Sequence, residues 1–390
     1  MNFNFSTRID NINTHELGDF LKLAEKSDII SFAGGFPASE MFPISQLKEI
    51  SINIIDNYSN TAFQYGATEG YTPLRHTISQ IKMPKFGVKS SLKNIMITSG
   101  AQQGLDLSAK LFIDKGDNII CERPTYLGAL SAFKAYEPNI LEVPMESDGM
   151  DLNLLENLLK KHKNIKFIYT IPDFQNPTGI TMSKTKREYL AFLASKYKVP
   201  IIEDSPYSEL SFEGRILPSI KSFDKNGYVI YLGTFSKTLC PAFRIGWVCA
   251  EEDLIQKYIL CKQGADLQPS TFNQIITYEY LKKYDLDSHI NKLRGVYKNR
   301  GNVILNAIAN YLPSYISTTY PEGGIFTWIE IHNKYTSKEF LNRALDVQVA
   351  FVLGDAFFAN GNDNKHLRVN FSSVNEEKIF EGIQRLGKNL

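Results

Sequence analysis

"YVIYLGTFSKTLCPAFRIGWVC", residues 228–249, sets a polar loop between two short apolar runs. "YVIYLG" (228–233) and "IGWVC" (245–249) have the composition and length of buried strands. Between them stands one lysine, Lys237, directly after Ser236, with Thr234 just before and Arg244 further on. Most lysines are solvated surface charges. A lysine that follows a buried strand is different: it lies at the carboxyl end of a sheet, where open α/β folds bind their ligands.

The same kind of run recurs upstream. "NIMIT" (94–98), "NIIC" (118–121), "KFIYTI" (166–171) and "PIIED" (200–204) read as further buried strands. Helical patterns lie between several of them: "QQGLDLSAKLF" (102–112), "NLLENLLKKH" (153–162) and "KTKREYLAFLASKY" (184–197). Strand–helix alternation implies βαβ units and a mostly parallel sheet covered on both faces. From about 251 to 312 the pattern is helical. Beyond it, "GGIFTWIEI" (323–331) and "HLRVNFS" (366–372) read as strands and "VNEEKIFEGIQRLGK" (374–388) as a closing helix. The expectation is an α/β protein with a large domain over 58–285 and a smaller α+β domain built from 1–57 and 286–390. At 390 residues and 43% hydrophobic, the chain has ample material for both cores.

Composition removes several classes of function. The 43 Lys+Arg nearly cancel the 42 Asp+Glu, so the basic footprint of a nucleic-acid binder is missing. The longest apolar runs, such as "IKFIYTI" (165–171), are too short to span a membrane. The opening "MNFNFSTRIDNINTH" has no basic region followed by an apolar stretch, so no signal peptide is expected. Cys121, Cys240, Cys249 and Cys261 show no metal-ligand spacing, and the six histidines form no HExxH. A cytoplasmic, reduced protein without a metal site is expected. There is no GxGxxG. Gly382–Lys388 reads GxxxxGK, but Asn389 follows where a phosphate loop has Ser or Thr.

What remains is the chemistry around Lys237. A buried lysine has a depressed pKa and is a nucleophilic amine, whose natural electrophile is an aldehyde. Two hydroxyls and an arginine suit a phosphate dianion. An aldehyde and a phosphate on one molecule point to pyridoxal 5′-phosphate. That cofactor needs a fixed carboxylate to keep its pyridine nitrogen protonated. Asp204, ending "PIIED", supplies one, and Tyr207 follows it. Tyr207 and Asn176, in "DFQNPTG", are candidate donors to the phenolic oxygen. "ITSGAQQGL" (97–105) is a strand, a glycine turn and a helix start, offering the amides of Gly100, Ala101 and Gln102 to the phosphate. Tyr126, in "RPTYLGAL", is a candidate stacking partner for the ring. Singly, each has a plain reading: Asp204 as a helix cap, Asn176 as a turn residue, Tyr126 as packing, Arg368 as half of an ion pair, Cys240 as a buried filler.

Together these segments resemble the class I/II aminotransferases of the fold-type I pyridoxal-phosphate enzymes. The matching text is "NPTG" (176–179), "DSPY" (204–207), "TFSK" with the arginine of "FRIGW" (234–247), and "LRVNFS" (367–372). "YGATEGYTPLR" (65–75) and "PEGGIFTWI" (321–329) also match, so the resemblance runs from about residue 30 onward. It implies a large domain with a mostly parallel, seven-stranded type of sheet between helices. It also implies a ping-pong exchange of an amino group between an L-amino acid and a 2-oxo acid. By the resemblance, Lys237 is the Schiff-base lysine and proton carrier, Asp204 pairs with the pyridinium, and Asn176 and Tyr207 bond the phenolic oxygen. Thr234, Ser236, Arg244 and the 100–102 turn hold the phosphate, and Tyr126 stacks on the ring. Arg368 grips the substrate α-carboxylate, and Tyr65 reaches the phosphate of a partner subunit in a homodimer.

One departure stands out. Many relatives have Ser or Thr where this chain has Ala101, so the phosphate cup lacks a hydroxyl that water or Gln102 has to replace. "FAGGFPASEMFP" (32–43) with "SGAQQGL" and "GTFSKTL" looks most like the α-aminoadipate, kynurenine and broad aromatic branch. There Gly34 and Gly35 let backbone approach the substrate, and residues around 8–40 shape side-chain preference. A second cation for dicarboxylates has one candidate by position, Arg8. The constellation is shared by lyases, decarboxylases, racemases and oxidases, which remain alternatives. A regulator fused to a DNA reader is the alternative of another class. It needs an extra N-terminal domain of roughly 70 residues, and here the family text already begins near residue 30.

Overall fold

A computed structural model describes residues 3–9 and 29–390. Its main sheet comprises β1 (Ile95–Thr98), β2 (Asn118–Arg123), β3 (Asn139–Glu146), β4 (Gly149–Met150), β5 (Ile165–Thr170), β6 (Ile201–Asp204), β7 (Val229–Thr234) and β8 (Gly246–Cys249). The spatial order is β1-β8-β7-β6-β5-β2-β3-β4. Five strands from β7 to β3 pair in parallel, β8 runs antiparallel between β7 and β1, and β4 folds back on the edge. The expected seven strands are present. The eighth is a two-residue return after the Ser147–Asp148 turn, and its first residue, Gly149, has a positive φ.

Each expected strand appears within a residue or two, because a parallel strand covered on both faces must be apolar throughout. Ile119 to Cys121, Phe167 to Tyr169 and Val229 to Leu232 are all essentially inaccessible. β3 escaped the sequence reading. It is an edge strand, only half buried, and Pro144 and three glutamates or asparagines interrupt its apolar character. The helices α1 (Ile44–Asn57), α2 (Ala101–Phe112), α3 (Leu127–Lys134), α4 (Leu152–Lys161) and α5 (Lys184–Tyr197) lie around this sheet. Side-chain caps set the start of two of them. Asp151 accepts from the amides of Asn153 and Leu154, and Ser183 from that of Lys186.

After β8 the chain is helical through α6 (Glu252–Gln263), α7 (Thr271–Lys283) and the 26-residue α8 (Leu286–Tyr311). A second sheet follows: β9 (Ile316–Thr318), β10 (Phe326–Ile331), β11 (Val352–Leu353) and β12 (His366–Asn370), in the antiparallel order β9-β10-β12-β11. α9 (Ser337–Asp346) and α10 (Glu376–Lys388) pack beside it. The GxxxxGK stretch is part of α10, where Gly382 rests on Phe32 and Gly387 on the Tyr311 backbone, so it is a packing face and not a loop. Ile30–Ser31 pairs with Val349–Ala350 and ties the N-terminal segment to this second layer.

The seam between β2 and β5 decides where a ligand goes. β2 leads to β3 on one side, whereas β5 leads to β6 and β7 on the other. Loops leaving the carboxyl ends of β2 and β5 therefore diverge, and a crevice opens between them. At the other end of the sheet the backbone of β7 is pressed against an aromatic cover. Gly233 faces Trp247 across the β7–β8 pair, and a Cβ there would lie 2.2 Å from the indole. Trp247 is 2% exposed, packs on Phe235 at 5.1 Å between centroids, and donates from Nε1 to Met83 Sδ. It cannot yield. Gly233→Ala should therefore lower stability by about 1–3 kcal/mol, read as a drop in the urea midpoint with an unchanged slope.

Candidate active site

The ends of β1, β2, β5, β6 and β7 converge on a cavity of about 300 Å³, closed from above by the second sheet. Twelve of the sequence-derived residues line it: Gly35, Ala101, Gln102, Tyr126, Asn176, Asp204, Tyr207, Thr234, Ser236, Lys237, Arg244 and Arg368. Gly100 stands just behind Arg244: a Cβ on it would meet Nη2 at 2.4 Å. Side chains and backbone from widely separated parts of the chain, Gly35 at one end and Arg368 at the other, thus meet in one place.

Lys237 enters from the loop after β7. Its Nζ donates to Gly35 O at 2.6 Å, and burial together with Arg368 and Arg244 lowers its pKa to about 8. A sizeable fraction of the amine is therefore neutral, and nucleophilic, near physiological pH. Opposite it, Asp204 ends β6 at 3% exposure. Its Oδ2 accepts from the Tyr169 hydroxyl at 3.0 Å, while its buried Oδ1 has no hydrogen-bond partner among the described residues. Burial raises this carboxyl to about 7, with Tyr169 opposing the shift.

The cup beside α2 is built from the β7–β8 loop. Ser236 N donates to Thr234 Oγ1 at 3.1 Å, and Thr234 Oγ1 donates to Ser236 Oγ at 2.9 Å. Arg244, in the left-handed region with φ 54°, turns back so that Nη1 reaches Ser236 Oγ at 3.3 Å and Nη2 reaches Ser99 O at 3.3 Å. The free amides at the start of α2 point the same way as its positive dipole end. Gln102 does not supply the hydroxyl that Ala101 lacks. Its Nε2 is committed to Gly128 O at 2.7 Å and its Oε1 to the Tyr126 hydroxyl at 3.3 Å, so it steadies Tyr126 instead.

Arg368 comes from β12, at the centre of the second sheet. It is 5% exposed, with Nη2 on Ala33 O at 2.6 Å and Nη1 on Asn176 Oδ1 at 3.0 Å. Its guanidinium lies 4.3 Å from the Phe326 centroid and 5.0 Å from that of Phe357. Burial pulls its pKa to about 10, which leaves it charged. Tyr207 meets Phe326 edge-on at 6.0 Å, and burial pushes its phenol well above the ordinary range.

Tyr65, expected at a partner subunit's phosphate, and Arg8 both lie off this chain's own cavity. Tyr65 is 79% exposed and outside the cavity. Arg8 does not line the cavity either; the group that senses its charge is Tyr136, just past the far end of α3. Of the 8–40 segment, Ala33 to Pro37 form one wall, and residues 10–28 lie outside the described residues. A side chain on Gly35 would press on Phe326 at 3.2 Å, and one on Gly34 would strike the Phe36 ring.

The sequence reading missed Tyr169, Phe326 and Phe357, and also a buried carboxyl behind them, Glu122. Tyr169 carried a signal: a tyrosine in a strand that is otherwise aliphatic needs a partner for its hydroxyl. Phe326 and Phe357 carried none, since aromatic residues in strands and short turns are ordinary core.

This donor set fits pyridoxal 5′-phosphate on the structure's own terms. A buried carboxylate oxygen without a partner faces the cavity, where a protonated ring nitrogen would satisfy it. A partly neutral lysine faces the same space, and an arginine, two hydroxyls and a helix N-terminus form a cup for a dianion.

Comparison with known proteins agrees. Residues 28–386 match the family "aminotransferase class I and II". The chain is 44% identical, over 99% of its length and 94% of the relative's, to "aromatic-amino-acid aminotransferase 1" of Thermococcus litoralis. Pyrococcus horikoshii kynurenine aminotransferase, solved with PMP, superposes with a TM-score of 0.94 at 41% identity, covering 99% of this chain and 96% of that one. The α-aminoadipate aminotransferase of Thermus thermophilus, solved with N-(5′-phosphopyridoxyl)-L-leucine, gives 0.93 at 36% identity, covering 99% and 97%. With a family match over nearly the whole chain and a site that fits the cofactor, this protein belongs to the class I and II aminotransferases, the pyridoxal-phosphate enzymes that move amino groups between amino acids and 2-oxo acids.

Proposed function

We propose that the enzyme acts on amino acids with large apolar or aromatic side chains, with Lys237, Asp204, Asn176, Tyr207 and Arg368 carrying the reaction. One observation carries the substrate class. Among the described residues, the cavity wall beyond the α-carboxylate site is apolar, from Phe36, Leu127, Ile171, Phe326 and Val352, and every cation lining it already has a task. Lys237, Arg244 and Arg368 are those cations, and Arg8 is not among them. A dicarboxylate side chain would bury a second charge there without a partner. The relatives named for aromatic amino acids and kynurenine support the same class.

Pyridoxal 5′-phosphate supplies an aldehyde that takes up the amino group and a ring that withdraws electrons from the neighbouring carbon. The remaining work belongs to the chain. Lys237 Nζ, neutral in a substantial fraction, would accept the proton from the substrate α-carbon and deliver it to the cofactor's former aldehyde carbon. Asp204 Oδ1 holds the ring nitrogen protonated. Asn176 and Tyr207 bond the phenolic oxygen, Tyr126 stacks on the ring, and Thr234, Ser236, Arg244 and the 100–102 amides take the phosphate. Arg368 exchanges its hold on Ala33 O and Asn176 for the two oxygens of the substrate carboxylate, which fixes the bond to be broken.

The active unit is a homodimer in this reading. Tyr65 and Phe63 are strongly exposed, Phe63 stacks on Phe272 at 5.7 Å, and Ile52 and Ile55 add apolar surface on α1. A face of that kind is covered in a stable assembly, and Tyr65 then enters the partner's phosphate cup. The division into 58–285 and the two flanking parts is supported by the sheets: all strands of the first lie between 95 and 249, and all strands of the second beyond 315. A cytoplasmic location is in keeping with four unpaired cysteines.

The half-reaction tests the function. An aromatic amino acid added without an acceptor should bleach the band of lysine-bound cofactor and release one equivalent of oxo acid per site. Lys237→Ala should show neither. Continued turnover without an acceptor would move the enzyme to the lyases, decarboxylases or oxidases. Arg368→Lys should lower kcat/KM by roughly 30- to 5,000-fold, equivalent to about 2–5 kcal/mol, mostly through KM for the amino acid.

Asp204 should also leave a mark on stability. Its folded pKa is raised, so the folded state holds a proton that the unfolded chain has already released. Its contribution is therefore greatest at low pH and is lost as the pH rises through about 7. In cofactor-free protein, Asp204→Asn should reduce the difference in melting temperature between pH near 5 and pH near 8. Adding cofactor should stabilise wild type more strongly at the higher pH, and Asp204→Asn should lose most of that gain.

A further inference from the structure

Behind the cavity, out of reach of any ligand in it, Glu122 and Gln175 form a fully buried polar cluster at the β2–β5 seam. Both are 0% exposed. Glu122 is the penultimate residue of β2, and Thr170 closes β5 beside it. Thr170 Oγ1 donates to Glu122 Oε1; Ile171 N and Gln175 Nε2 donate to Oε2 at 3.3 and 3.0 Å. Every neighbour bonded to this carboxyl is a donor, which suits the ionised acceptor form. Burial raises its pKa to about 7 against the pull of these donors.

Gln175 carries the connection onward in both directions. Its Nε2 also reaches Pro124 O at 2.8 Å, on the loop that presents Tyr126. Its Oε1 accepts from Thr178 N at 3.0 Å and Thr178 Oγ1 at 2.7 Å, closing the turn that holds Asn176. Thr178 O in turn accepts from Thr319 Oγ1 at 2.6 Å, and Thr319 Oγ1 accepts from Trp328 N at 3.0 Å, beside Arg368 on the neighbouring strand. The two loops that diverge at the seam are thereby held by one carboxylate.

We propose that Glu122 is a positioning residue for the reaction: through Gln175 it fixes Asn176 and Tyr126 relative to the cofactor. This rests on the reading that Asn176 bonds the phenolic oxygen. Buried charge is costly unless every lone pair is used. An apolar residue would fill the same space at lower cost, so the cluster serves geometry better than stability. Glu122→Met keeps roughly the volume but removes both acceptor oxygens, so the anchor for Gln175 Nε2 on this residue is lost.

The test reads the pH midpoint of the absorbance of cofactor bound to Lys237. A donor to the phenolic oxygen favours its anion and lowers that midpoint. Asn176→Ala should raise it. Glu122→Met should raise it by about half a unit or more in the same direction, with the double variant showing no further shift, because both act on one contact. In the cofactor-free protein, amide exchange over 174–179 should speed up by about tenfold or more while β2 and β5 stay protected. If Asn176→Ala leaves the midpoint in place, the reading of Asn176 is wrong and this proposal falls with it. If Asn176→Ala moves the midpoint and Glu122→Met does not, the positioning role alone is refuted. Should Glu122→Met not fold, Gln175→Met, which keeps the carboxylate, must give the same rise; an unchanged midpoint there overturns the proposal equally.

Discussion

The parallel pairing of β2 with β5 is the constraint from which the site follows. Hydrogen bonds between these strands fix their carboxyl ends side by side, while the chain leaves them in opposite directions. The resulting crevice cannot be closed by the sheet itself. Tyr126 stands on one lip and Asn176 on the other, and Asp204 at the end of the next strand forms the floor. The second sheet then supplies the roof through Arg368 and Phe326.

Charge inside this crevice is managed by pairing on one side only. Asp204 has one oxygen satisfied by Tyr169 and the other left open; Arg368 has its amino groups held by a carbonyl and an amide, while its Nε lacks a partner among the described residues. Half-satisfied buried charges are expensive in a resting protein. They are also preorganised, since a cofactor or substrate that completes them needs little rearrangement of the protein around it. The same enclosure brings Lys237 down to about 8 and Asp204 up to about 7, so amine and carboxyl approach the same pH from opposite sides.

Gln102 and Gly246 show how much the cup depends on backbone. Gln102, next to Ala101 in the chain, is used to brace Tyr126. Gly246 lets β8 approach the turn at Gly100 so closely that a Cβ would lie 2.7 Å from its carbonyl carbon. Arg244, just before that strand, folds back to the cup from a backbone in the left-handed form.

Strands, helices and most of the residues that meet at the site are legible in the residues alone. Strands buried on both faces must be continuously apolar, and Lys237, Asp204 and Asn176 stand at or soon after the ends of such runs, so their place at the carboxyl edge can be read from their neighbours. β3 was not legible, because an edge strand need not be apolar. Which side chains support the site from behind was settled only by the fold in three dimensions. Tyr169, Glu122, Phe326 and Phe357 look like ordinary core in sequence. Their roles come from contacts across 35 to 53 positions for the hydroxyl and carboxyl partners, and from the second sheet for the aromatic pair. Local pattern records whether a residue is buried, but not what it is buried against.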